Sequence, residues 1–178
     1  MNPIAGWRLE RSAQIFNDRI WPLLASKLGG GELVPVESVT DSYFAHLIDV
    51  EAGIDAWQVV PARGLRGIAS RVQVGPCWGT WTIRTQVRSG LRTEWDKLIA
   101  EDSSLLRPAW HIQSYVESWH PDTQVNGAAA IRTADLISML KQGSHEPERI
   151  NPRDGTRFVA VRWATAILRG YEIEVIDA

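Results

Sequence analysis

The sequence predicts a single domain of mixed α and β structure (α+β), and three observations lead to that reading. The chain has 178 residues, the usual size of one domain, so a second independent core is not expected. Apolar residues recur at helical spacing near the N-terminus, whereas short β-branched and aromatic runs broken by Gly and Pro fill the middle. The elements then follow as helix, three strands, helix, strand, strand, helix, two strands. Residues from about 8 to 117 read as a core and those from about 118 to 178 as a C-terminal elaboration.

Each element has a local cause. From Arg8 to Leu28, the residues Leu9, Ile15, Phe16, Ile20, Leu23, Leu24 and Leu28 mark one helical face, with a kink expected at Pro22 and a stop at Gly29-Gly30-Gly31. Leu33 to Val39 reads as a short extended segment, and Asp41 to Val50 as a helical turn or an irregular approach to a strand. Asp55 to Val60, Gly67 to Val74 and Thr80 to Val87 are predicted to form an antiparallel three-stranded meander. Thr93 is a plausible N-cap for a helix to about Glu101, with Trp95, Leu98 and Ile99 on one side. A strand at Ala109 to Glu117 and an extended segment at Val125 to Ile131 precede a helix from Thr133, read as its cap, to Lys141. A polar loop from Gln142 to Gly155 leads to two closing strands, Arg157 to Trp163 and Tyr171 to Ile176.

Composition narrows the function classes. A hydrophobic fraction of 44% and a charged fraction of 22% are those of a folded globular chain, not a disordered one. No apolar stretch approaches the roughly 20 residues of a membrane span. Met1 to Glu10 has no basic stretch ahead of an apolar core, so a cytoplasmic, intracellular location without membrane contact is expected. Cys77 is the single cysteine, which excludes an internal disulfide. The net charge of −2 argues against coating nucleic acid by bulk charge. Its distribution is less neutral: between Pro61 and Thr93 there is no acidic residue, yet Arg63, Arg66, Arg71, Arg84, Arg88 and Arg92 all fall there. Such a window can form one phosphate-binding face, or its arginines can pair with the acids of Asp41 to Glu51 and of the C-terminus.

The segment Asp49-Val-Glu-Ala-Gly-Ile-Asp55, a short turn, and Gly67-Ile-Ala-Ser-Arg-Val-Gln73 resembles the core of the PD-(D/E)XK nuclease superfamily (restriction-endonuclease-like), in a form seen in phage- and plasmid-type proteins. Trp81-Thr-Ile-Arg84 and Thr93-Glu94 are further echoes. The resemblance covers roughly residues 8 to 117 and implies a helix, three-stranded meander, helix and strand core. It further implies DNA as partner, Mg²⁺ or Mn²⁺ as cofactor and phosphodiester hydrolysis. Side chains two apart on a strand share a face, so Arg71 and Gln73 point the same way and an antiparallel neighbour brings Asp55 beside them.

The pattern departs from the superfamily where an acid-x-Lys is called for: Arg71 stands at the acid and Gln73 at the lysine. On this reading Asp55 is the main metal ligand, Asp49 or Glu94 supplies a further carboxylate, Gln73 orients the attacking water, and Arg71 and Arg84 clamp phosphate. Arg63, Arg66, Arg84, Arg88 and Arg92 make the DNA-binding face. The alternative is a phage-borne, nuclease-like module that lost catalysis and binds nucleic acid or a protein, and a third reading is a homodimeric scaffold whose arginines meet acidic partners. Each residue also has an ordinary reading: Asp55 as a turn residue, Asp49 and Glu51 as a solvated pair, Arg71 as half of an ion pair, Gln73 as an edge residue, Glu94 as a helix-start carboxylate.

Other chemistries have less support. His46, His111, His120 and His145 show no zinc spacing, and His111 and His120 read as surface or loop residues. Gly29-Gly30-Gly31 follows a helix and lacks the Lys-Ser/Thr of a phosphate cradle, and no Gly-x-Ser-x-Gly occurs. Cys77 reads as a packing residue. Nine tryptophans are many for this length. Most suit the core, with Trp78, Trp81, Trp110 and Trp119 as alternatives for base stacking.

Overall fold

A computed structural model describes residues 3–39, 45, 48–61, 64–86, 92–101, 106–152 and 154–177. The N-terminal periodicity becomes helix α1 (Pro3–Ile15), a π-helical turn (Phe16–Ile20) and α2 (Trp21–Leu24). Pro22 cannot donate a backbone hydrogen bond, and the widened turn just before it absorbs the mismatch while Pro22 sits in the first turn of α2. The three glycines that follow all take positive φ, and at Gly31 a Cβ would lie 2.4 Å from the Val59 carbonyl oxygen, so the chain turns back there only because the side chain is absent.

Strand β1 (Glu32–Pro35), the short helix α3 (Val36–Val39) and a second π-helical turn (Ile48–Ala52) lead into β2 (Ala56–Val60) and β3 (Gly64–Val74). Next come β4 (Thr80–Gln86), α4 (Glu94–Ile99), β5 (Trp110–Val116), β6 (Val125–Arg132) and α5 (Thr133–Lys141). The two-residue β7 (Arg149–Ile150), β8 (Arg157–Arg162), α6 (Trp163–Leu168) and β9 (Ile173–Asp177) close the chain. The fold is therefore α+β. A six-stranded sheet runs β1-β2-β3-β5-β6-β9, antiparallel except for the parallel pair β3 and β5, and a three-stranded sheet runs β4-β8-β7. None of the described helices is long and apolar enough to cross a membrane.

The predicted meander of Asp55–Val60, Gly67–Val74 and Thr80–Val87 is found only in its first two strands, β2 and β3. β1 pairs with β2 on the other side, whereas β4 leaves for the second sheet. Burial explains the exchange. β5 is buried along nearly its whole length, as a central strand covered on both faces must be. β4 alternates buried Trp81 and Ile83 with accessible Thr82 and Arg84, the pattern of an outer layer. β5 therefore takes the place beside β3, at Ile68↔Trp110 through Val74↔Val116. Thr93 caps α4 as read, through a reciprocal pair of hydrogen bonds with Asp96. Thr133 does not cap α5: Arg132 holds the cap position, and the Thr133 hydroxyl is bonded elsewhere. Helix α6 was missed because its six residues, directly after a strand, are too short to display periodicity.

Two cores lie on opposite faces of the large sheet. On one, Ile15, Phe16, Ile20 and Leu24 pack against Ile68, Val72, Trp110 and Ile112. On the other, Trp81, Ile83 and Leu98 join Val161, Trp163 and Leu136 over Tyr115, Ala129 and Ile131. The small side chains of Ala128, Ala129 and Ala130, all 0% exposed, let both layers approach the central strands closely.

Candidate active site

Strand register assigns the site residues to rows on the face that carries the second sheet. Pairing of Ala56 with Ile68 carries Asp55, one residue earlier, to Ala69 and Ser70. The Asp55 amide donates to the Ile68 carbonyl at 2.8 Å, and the Ser70 amide donates to Asp55 Oδ2 at 2.5 Å, which fixes the carboxylate at the β2–β3 junction. Ala69 pairs onward with His111, Arg71 with Gln113 and Gln73 with Tyr115. By strand alternation Ala69, Arg71, Gln73, His111, Gln113 and Tyr115 share one face, opposite to Ile68, Val72, Trp110 and Ile112. Ala69 is partly accessible, so its methyl group forms an open floor between Asp55 and His111.

Glu94, the first residue of α4, reaches from the helix to β3 and β4. Its Oε1 lies 2.5 Å from Arg71 Nη2 and its Oε2 accepts from the Arg84 amide at 2.9 Å. Arg71 Nη1 also donates to the Thr82 carbonyl at 2.9 Å. One guanidinium thus joins β3, β4 and α4. The Arg71 and Glu94 side chains remain 20% and 35% exposed, and Asp55 is more exposed still, so the group opens to water. Accessible side chains ringed by protein define a recess.

The charges in this recess are displaced from their ordinary states in opposite directions. Burial among protein atoms, only partly offset by the Ser70 amide and reinforced by the negative Asp49 and Glu94, pushes the Asp55 carboxyl up from 3.8 to about 7. Burial also pushes Glu94 up, but Arg71, Arg84 and the Arg84 amide outweigh it and hold that carboxyl below its usual range. Burial and the neighbouring Arg71, against the pull of Glu94, bring His111 down to about 4, so its imidazole is neutral near pH 7. Arg84 is lowered by Arg71 first and by burial second. Carboxyl groups with affinities for protons driven apart cluster at functional sites and also occur in structural ion-pair networks such as the Arg71–Glu94 pair.

Comparison with family models, curated proteins and solved structures finds no match. The site therefore stands on its own geometry.

Of the residues singled out in the sequence, Asp55, Arg71, Arg84 and Glu94 come together. Asp49 lies on the exposed π-helical turn before β2, near enough to raise Asp55 electrostatically. Gln73 does not join them: four residues beyond Ala69, it stands about 13 Å along the strand at 3.3 Å per residue. There it pairs with Tyr115, out of reach of a water held at Asp55. Among the described residues, the arginines of the window do not share one face. Arg66 points to the helical layer, lining a cavity of about 640 Å³ with Lys27, Trp110 and Arg132. Arg92 pairs with Glu51 at 3.6 Å, as the ion-pair alternative anticipated. Arg63 and Arg88, like Asp41 and His46, lie outside the described residues.

The sequence also misplaced other side chains. His111 is a strand residue of the recess, neither surface nor loop. Cys77 is exposed, although its sulfur lies over Gly127, where a Cβ would come within 2.7 Å of it. Trp81 and Trp110 are buried at 2% and 9% and cannot stack bases, whereas Trp78 is 65% exposed. Gln113 was not singled out. It is 2% exposed, its Oε1 accepts from the Thr82 amide at 3.4 Å, and its Nε2 has no partner among the described residues. Only the alternation of His111 and Gln113 with Trp110 and Ile112 could have flagged both as polar residues aimed away from the helical core.

Proposed function

We propose that the recess binds a nucleic-acid phosphodiester and that the protein is a metal-dependent nuclease of the PD-(D/E)XK type. The observation that carries this reading is the register: Ala69, not Arg71, lies opposite Asp55. Transferred by register, the acid-x-Lys positions fall on Ala69 and Arg71 in place of Arg71 and Gln73. The vacated carboxylate is then supplied by Glu94 from α4, through its contact with Arg71, and the cationic position is held by Arg71. The succession α1, β1-β2-β3 meander, α4 and a β5 parallel to β3 supports the restriction-endonuclease-like assignment, with β4 as an insertion into the second sheet.

The donor set fits a divalent ion. Among the described residues no three His, Cys, Asp or Glu side chains converge as a ready-made metal cage. Mg²⁺, however, commonly takes one or two carboxylates and fills its remaining positions with water and phosphate oxygens. A carboxyl raised to about 7 by burial and by two acidic neighbours is one that a cation would relieve. Asp55 would hold the ion, with Glu94 or Asp49 as the second oxygen source, and the ion would supply charge stabilisation at the phosphate. The protein's own residues do the rest. The Ser70 amide orients Asp55, Arg84 presents an exposed guanidinium to a phosphate oxygen, and Arg71 exchanges part of its pairing with Glu94 for the incoming anion.

The second reading, a phosphate-binding module without hydrolysis, is favoured by the fact that both Glu94 oxygens are already engaged. Purified protein incubated with supercoiled and linear DNA in Mg²⁺ or Mn²⁺ separates the two. The nuclease reading expects cleavage that Asp55→Ala abolishes, together with a Mn²⁺-dependent rise in Tm. Cleavage that survives Asp55→Ala rejects the assignment of the site. DNA binding without any effect of Mn²⁺ selects the second reading.

A further inference from the structure

We propose that His111 is a further catalytic residue of this recess, the one that accepts a hydrogen bond from the attacking water through its Nε2 atom. The inference rests on the nuclease reading and replaces Gln73 in the role that sequence spacing suggested.

Three observations place His111 there. First, it shares the Asp55 row: Ala69 pairs with His111 on one side and lies opposite Asp55 on the other. Two strand spacings, about 10 Å between backbones, separate Asp55 from His111. That span between backbones is wide enough to admit a water and one phosphate oxygen between the two side chains. Second, the imidazole is held from behind. His111 Nδ1 lies 3.0 Å from Thr133 Oγ1, and Thr133 is anchored in turn because its amide donates to the Ala109 carbonyl at 3.0 Å. This second partner fixes the ring plane, as supporting residues do for working imidazoles. Third, Nε2 has no hydrogen-bond partner among the described residues, although His111 is partly accessible and close enough to Glu94 and Arg71 to feel both charges. A side chain anchored at one nitrogen and free at the other, facing an open floor, is placed to meet a ligand.

In the reaction the water oxygen forms a bond to phosphorus as the P–O ester bond breaks. The electron pair of that bond leaves with the departing oxygen, which takes a proton from solvent. His111 orients the water by accepting its hydrogen bond, and the water's proton passes to bulk.

The test uses the full chain labelled with ¹⁵N-histidine, Ca²⁺, and a short DNA duplex with phosphorothioate linkages, alongside single-turnover cleavage of an unmodified duplex in Mn²⁺. The proposal expects the His111 Nε2 resonance to move on duplex binding. It expects His111→Ala to keep duplex affinity within about twofold while slowing cleavage about 100-fold. His111→Gln, which restores an acceptor, should recover part of that loss, and Thr133→Val, which only frees the ring, should slow cleavage about tenfold. A duplex that binds without moving the Nε2 resonance, or a His111→Ala protein that cleaves at the normal rate, overturns the role of His111 and leaves the nuclease reading standing. A wild-type protein that binds duplex, moves the Nε2 resonance and does not cleave overturns the nuclease reading and the water-orienting role, and makes His111 a contact of a binding site. A protein that neither binds nor cleaves overturns both.

Discussion

Replacing Asp55 with Asn should stabilise the metal-free protein at alkaline pH and do so to a smaller degree at pH 5, early in the titration window. The folded carboxyl is raised from 3.8 to about 7, so between those values the native state holds a proton that the unfolded chain has released. Stability therefore falls as pH rises through this window and stays low above it. A shift of about three units corresponds to at most about 4 kcal/mol. Asp55 is exposed to water on one side, and screening reduces the cost to about 1–2 kcal/mol. Asparagine removes the charge while its carbonyl oxygen can still accept the Ser70 amide, so the hydrogen bond at the β2–β3 junction survives. At 2–4 °C per kcal/mol for a chain of this size, Asp55→Asn should melt about 2–8 °C higher than wild type at pH 8.5. Thermal unfolding followed by circular dichroism in EDTA, at pH 5 and 8.5, reads the effect directly. A variant that melts lower at pH 8.5, or differs from wild type equally at both values, would show that Asp55 is an ordinary solvated carboxylate and that the acidic recess is not strained.

Other substitutions examine the frame around it. Arg71→Met and Glu94→Gln, made singly and together, should show a coupling of about 1 kcal/mol in urea unfolding, because the pair links three elements in a half-exposed setting; additive effects would reduce it to surface ornament. Gln58 is 0% exposed, and its Nε2 donates to the Leu28 and Gly30 carbonyls at 3.0 and 2.7 Å, closing the end of the N-terminal helical segment. Gln58→Met should cost about 2 kcal/mol in the same assay by leaving both carbonyls unpaired, and a neutral result would mean that water replaces the amide. At Gly67 a Cβ would lie 2.8 Å from Ile54 Cδ1 and 3.1 Å from Pro108 Cα, so Gly67→Ala should cost about 1–3 kcal/mol by pushing β3 away from the segment before β5. Unchanged unfolding of that variant would mean that the strand shifts freely.

Local physics made some elements legible. The long apolar face of the N-terminal helical segment, the Thr93 cap with Asp96 three residues on, and the Gly and Pro punctuation around β3 each encode structure within a few residues. What stayed hidden depends on partners far along the chain. Whether β4 or β5 lies beside β3 is settled by burial on both faces of β5, which no window of β4 contains. The site followed the same division. Asp55 and Arg71 could be flagged by spacing, and Glu94 by its position in the first turn of a helix. The two-residue shift that puts Ala69 opposite Asp55 follows from pairing register, which hydrophobic alternation does not fix on a face lined by polar side chains. His111 was misread because its polar character suggested solvent, while its neighbours Trp110 and Ile112 required it to face the opposite layer.

The second sheet gives the far end of the chain a hold over the recess. Strand β4 supplies the Thr82 carbonyl that grips Arg71 and the Arg84 amide that grips Glu94, and its hydrogen-bonded neighbour is β8, from Arg157 to Arg162. During synthesis, a ribosome that has reached Val116 has made nearly every side chain of the pocket but not the rail against which β4 is laid. The nascent protein thus carries these side chains before β8, the strand that holds β4 in place, has been made.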